Sequence, residues 1–153
     1  MTKFETFGER LVRAQRIREM DFRRLRQETG LMAQSLVAYE SGRTLPSYGS
    51  LRAIARALDM SADYLAGVNE VPRRLENREP DFDAFSQRLL LERAKRNWTQ
   101  DQMASLLDTD RKKVSGWERA NSPAYWALLE AGKRLNVSID WLCGFSNRVR
   151  YDD

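Results

Sequence analysis

Apolar residues recur along the chain at helical spacing. Phe7, Leu11, Ala14 and Ile17 form one stripe, which predicts an amphipathic helix. Asp21 is placed to cap a second helix, and Gly30 suits the turn that ends it. A third helix carries Leu36 and Tyr39 inward and stops near Gly42. Ser47 can cap a fourth, with Leu51, Ile54 and Leu58 on one face. Ser61 caps a fifth, with Asp63 in its first turn, where the helix dipole favours an anion. No stretch alternates strictly between apolar and polar, and no Asn-Gly or Asp-Gly turn occurs, so no strand is predicted.

The same plan then repeats. Phe7-Gly8-Glu9-Arg10-Leu11 is echoed by Phe85-Ser86-Gln87-Arg88-Leu89 at an offset of 78. That offset also pairs Leu25 with Met103, Leu36 with Val114, Tyr39 with Trp117 and Glu40 with Glu118. After a slip of one residue the offset becomes 77, pairing Pro46 with Pro123, Leu51 with Leu128, Leu58 with Leu135, and Ser61 to Gly67 with Ser138 to Gly144. A one-residue change of offset is what a loop insertion or deletion produces. The second copy offers Ser122-Pro123 as a cap followed by proline at the first helical position, where a missing N–H costs nothing. The expectation is an all-α chain of two tandem five-helix bundles, at residues 1–67 and 81–153, joined by a charged linker at 68–80.

Composition narrows the chemistry. Of 153 residues, 42% are apolar and 31% charged, which fits a folded globular protein. The chain has no histidine, which excludes a Ser-His-Asp triad, a histidine base and histidine-ligated metals. Its one cysteine, Cys143, excludes an intrachain disulfide and a cysteine-cluster zinc site, and is expected to pack as a small buried hydrophobe. No apolar run is long enough to span a membrane, and the first residues lack a signal-peptide core, so a cytoplasmic location is expected. Carboxylates such as Asp101, Asp108 and Asp110 form no evident ligand set or nucleophile–base pair, so neither a metal, a cofactor nor catalysis is expected.

The runs Thr99-Gln100-Asp101-Gln102-Met103-Ala104 and Val114-Ser115-Gly116-Trp117-Glu118-Arg119, followed by Ser138-Ile139-Asp140-Trp141-Leu142-Cys143-Gly144, resemble the helix-turn-helix family of lambda-type repressors and Cro. The likeness covers about 60 residues in each copy, and its specificity lies in the ordered set occurring twice. It implies five-helix lambda-repressor-like helix-turn-helix bundles and sequence-specific binding of double-stranded DNA, usually repression, by a nucleoid-associated protein of phage or mobile-element type. In that family the third helix lies in the major groove and the second points its N-terminus at a phosphate.

In the second copy the resemblance places Arg111, Lys112 and Ser115 at base edges, where the planar fork of arginine matches guanine. It places Gln100, Lys113 and Asn121 toward phosphates, Ala104 at the small-residue position, and Val114 and Trp117 in the core. Asp108 replaces the turn glycine, Ala120 replaces the glycine after the third helix, and Asp110 is placed to cap that helix. Trp117 and Trp141 read as core, whereas Trp126 stays open between core and surface. The first copy keeps Gly30, Leu36, Tyr39, Glu40 and Gly42 but carries Phe22 at the phosphate position and Arg26 at the small-residue position. Its groove-facing residues are Ala33, Gln34 and Val37, with Arg23, Arg24 and Arg43 nearby for phosphates. Met32, Ala33, Val37 and Ala38 equally suit a protein partner.

The net charge of +4 resolves only partly: residues 1–67 carry 11 basic and 8 acidic groups, and residues 81–153 carry 12 and 11. Residue identity nevertheless favours the second copy as the reader, with the first as a second reader or a dimerisation module. A surplus of +1 is small for a lone module whose affinity comes from phosphates, so a homodimer is expected. The alternative is a helix-turn-helix unit repurposed to bind and modulate a regulatory protein.

Overall fold

A computed structural model describes residues 6–151, and among them every regular element is a helix. The chain divides into two compact units, Met1–Arg78 and Glu79–Asp153. The first holds α1 (Phe7–Ile17), α2 (Phe22–Thr29), α3 (Ala33–Glu40), α4 (Tyr48–Leu58) and α5 (Ala62–Leu65). The second holds α6 (Ala84–Lys95), α7 (Gln100–Leu106), α8 (Arg111–Glu118), α9 (Tyr125–Leu135) and α10 (Ile139–Cys143). No helix among the described residues is long and apolar enough to cross a membrane.

The caps follow from residue type. Asp21, Ser47 and Ser61 each accept a backbone N–H from the first turn of α2, α4 and α5. Thr99 and Gln102 form a reciprocal capping box on α7, and Asp110 accepts Lys113 N at 2.9 Å on α8. The Ser122-Pro123 expectation is corrected. Helix α9 starts at Tyr125 with Ala124 at its N-cap and no side-chain cap. Ala124 matches Ser47 at the offset of 77, and Pro123 matches Pro46; both prolines are buried ahead of the helix instead of opening it.

The two units pack alike at their centres. Phe7 meets Tyr39 edge-on with ring centroids 6.3 Å apart, and Phe85 meets Trp117 edge-on at 6.0 Å. Leu11, Leu25, Leu36, Leu51, Ile54 and Leu58 are almost wholly buried in the first unit. Met103, Val114, Leu128, Leu135, Leu142 and Cys143 are so in the second. Ile17, expected inward, is 41% exposed, because α1 ends there and Met20 fills the core instead. Trp126 is exposed.

Each unit also fastens its closing helix with a matched arginine. Arg10 donates to the carbonyls of Tyr64 and Asn69, both at 3.2 Å, and to Glu70 at 2.8 Å. Arg88 donates to the carbonyls of Trp141 and Ser146 and to Asn147 Oδ1. The segment after α5 is therefore the counterpart of the chain after α10. Ser61 N donates to Arg73 O at 2.8 Å, as Ser138 N donates to Val149 O at 2.6 Å. Residues 68–78 are mostly exposed, yet they are tied to the first unit. Arg74 and Leu75 N bond Asp59 at 2.8 and 3.0 Å, and Arg78 donates to Arg56 O.

The second helices lean differently. In the second unit α7 packs directly on α8, whereas in the first α2 packs chiefly on α4 and touches α3 little. The two units differ in residue size at this point: Ala104 is buried in α7, while Arg26, at the matching position of α2, is exposed.

Candidate nucleic-acid interface

Helix α8 sits with one face in the core and one in solvent. Val114 and Trp117 are 0% and 6% exposed and fix its orientation, leaving Arg111, Lys112 and Lys113 outside. The side chains of these three cations form no hydrogen bond or ion pair among the described residues, so their charge is uncommitted. Arg111, Lys112 and Ser115 line an open cleft of about 460 Å³ with Gln100 and Asp110. The structure thus brings the expected base-reading residues together, with Gln100 at their edge. Asn121 is exposed in the turn after α8, where its backbone N–H donates to Gly116 O at 2.9 Å.

The turns on either side of α8 contain the strained residues of the site. Asp108, before α8, has φ 57°, and Ala120, after it, has φ 78°. Gly30 and Gly42 hold the matching positions in the first unit, at 70° and 78°. Asp tolerates this region better than most residues, whereas alanine carries the full steric cost.

A polar hub supports α8 from behind. Arg93 on α6 grips Glu118 with two hydrogen bonds, Nε to Oε2 at 2.7 Å and a terminal nitrogen to Oε1 at 3.0 Å. Its other terminal nitrogen donates to Trp98 O at 2.9 Å. Gln100 Nε2 donates to Glu118 Oε1 at 2.9 Å. The bonds from Arg93 to Glu118 raise the arginine pKa and hold it firmly charged. Sequence reading singled out Glu118 and Gln100 but missed Arg93. Its signal was available, since Arg93 is an arginine on the helix that packs on α8.

The first unit lacks this arrangement. Gln15 stands for Arg93 and Phe22 for Gln100, so Glu40 has neither partner. Gln34 and Val37 are exposed on α3, and Ala33 is half-buried. Met32 and Val37 are 65% and 49% exposed, and Met32 lines an open depression of about 540 Å³ with Phe22, Arg23 and Arg26. Arg23 and Arg43 are exposed, and Arg24 reaches Glu28 at 3.8 Å. Among the described residues no group of His, Cys, Asp or Glu could hold a metal ion. No family model, curated protein or solved structure matches this chain.

Proposed function

We propose that this chain is a sequence-specific DNA-binding regulator, with α8 entering the major groove. The observation that carries the reading is the open cleft joining Arg111, Lys112 and Ser115 to Gln100 at the start of α7. Three exposed, uncommitted cations in the first turn of α8 offer phosphate neutralisation and a guanine-reading fork together. Gln100 spends one N–H on Glu118 and keeps a second on the same nitrogen for a phosphate. The Arg93–Glu118 pair makes this pre-organised, since it locks the end of α8 and the start of α7 to α6. Repression follows from the family resemblance and a homodimer from the small charge surplus of the second copy, and both are part of the same proposal.

Selection of bound duplexes from a random pool tests the reading. A short enriched site is expected, and Arg111→Ala is expected to relax one base position in it. Enrichment abolished by changes at Gln34 and Val37 instead would assign reading to α3. A pool no better bound than random sequence would overturn DNA reading. The exposed Met32 and Val37 then favour the second reading, in which the first unit binds a protein partner.

A further inference from the structure

The open depression of about 540 Å³ on the first unit is lined by apolar and cationic side chains. Phe22, Leu31 and Met32 supply the apolar part, and Met32 is 65% exposed. Arg23 and Arg26 stand beside them, both exposed. Neither arginine side chain forms a hydrogen bond or ion pair among the described residues. Gln27 and Gly30 complete the lining, which contains no carboxylate. The second unit has different chemistry at the same positions. At the offset of 78, Gln100, Thr109 and Asp110 stand for Phe22, Leu31 and Met32, and Asp101 and Ala104 stand for the two arginines.

Arg23 and Arg26 are three residues apart on α2, so their Cβ atoms lie about 5–6 Å from each other on one face. Two like charges at that spacing repel, and no carboxylate in the lining balances them. A pair of anionic groups relieves the repulsion, and the planar fork of arginine suits carboxylate and phosphate oxygens alike. The apolar side chains decide between these. Phe22, Leu31 and Met32 gain by leaving water, and a sugar-phosphate backbone offers them little to pack on. Leucine or phenylalanine side chains offer far more, and methionine adapts its shape to them. Carboxylates at i and i+3 or i+4 of a helix match the spacing of the two arginines, while an apolar stripe beside them enters the depression.

We propose that the depression along α2 and the turn into α3 docks an acidic amphipathic helix of a partner protein, with carboxylates on Arg23 and Arg26 and apolar side chains against Phe22, Leu31 and Met32. Such docking goes beyond DNA reading by α8 and does not depend on it, because only residues of the first unit take part.

Peptides are selected on the full chain from a random pool, and the enriched ones are titrated by fluorescence anisotropy against wild type, Arg26→Glu and Met32→Ser. Enriched peptides are expected to carry two carboxylates three or four positions apart, beside leucine or an aromatic residue. Both variants are expected to weaken them by about tenfold or more. Arg26 and Met32 are exposed, so both variants are expected to fold as wild type does, checked by the urea midpoint. Should one of them unfold, the other decides. Enriched peptides without carboxylates, equal affinity of wild type and variants, or no peptide tighter than about 1 mM would each overturn the proposal. Two other occupants would overturn it as well. Random duplex DNA bound about tenfold more weakly by Arg26→Glu, with no acidic peptide enriched, would assign the depression to phosphates. A wild-type dimer that Arg26→Glu converts to monomer, again with no acidic peptide enriched, would assign it to a second copy of the chain.

Discussion

Ala120 occupies the left-handed region at φ 78°, directly after the helix proposed to read DNA. A Cβ there costs about 1–2 kcal/mol, and glycine removes that cost while adding some freedom to the unfolded chain. Ala120→Gly is therefore expected to stabilise the protein by about 1 kcal/mol, seen as a higher urea midpoint with unchanged m-value. Glu118 gives the opposite prediction. Removing Arg93 strands a carboxylate whose side chain is 7% exposed, with Gln100 alone to bond it. Arg93→Ala is expected to cost about 3 kcal/mol, measured by the same unfolding curve. At this scale the sequence was legible wherever residue type announces geometry. Asp21, Ser47, Ser61 and Asp110 were readable as caps because a short oxygen-bearing side chain before an apolar run has few other uses. Glu19 at φ 53° was not readable, because nothing in a glutamate signals a left-handed residue. Its counterpart Asn97, at φ 55°, carries the signal that Glu19 lacks.

Elements depend on contacts that cross long stretches of chain, and there the sequence said less. The offset pairs located all ten helices of the described residues approximately. They did not reveal that α2 leans on α4 while α7 leans on α8, since helix pairing is set by contacts between distant residues that an offset does not report. Nor did they reveal that residues 68–75 repeat the role of the chain after α10. Those contacts run largely through backbone carbonyls, which leave no mark in side-chain identity. Asp59 is the fastening point of that segment. Burial raises its pKa, but the hydrogen bonds from Arg74 and Leu75 N and the charges of Arg78 and Arg74 outweigh this, and the net shift is downward. Its ionised form therefore stabilises the fold above the ordinary carboxylate pKa, and the contribution is lost as pH falls through the lowered folded value. Asp59→Asn, which tolerates the same φ of 47°, is expected to lower stability by at most about 1 kcal/mol near neutral pH, because Arg74 is exposed. The difference from wild type is expected to shrink in thermal melts as pH falls below the ordinary carboxylate range.

Across the whole molecule, the net charge of +4 conceals a division of labour among 26 basic residues. Arg10, Arg18, Arg88 and Arg93 are committed to carbonyls and carboxylates inside their own units. Arg111, Lys112 and Lys113 are not, and the proposed function rests on them. The most direct measurement is a fluorescence anisotropy titration of a selected duplex at several salt concentrations, comparing wild type with Arg111→Ala. Affinity is expected to fall steeply with salt for both proteins. Arg111→Ala is expected to weaken the specific duplex by about 1–3 kcal/mol and to change binding of unrelated duplex far less. Equal affinity of the two proteins for the selected duplex would contradict the assignment of α8 as the reading helix.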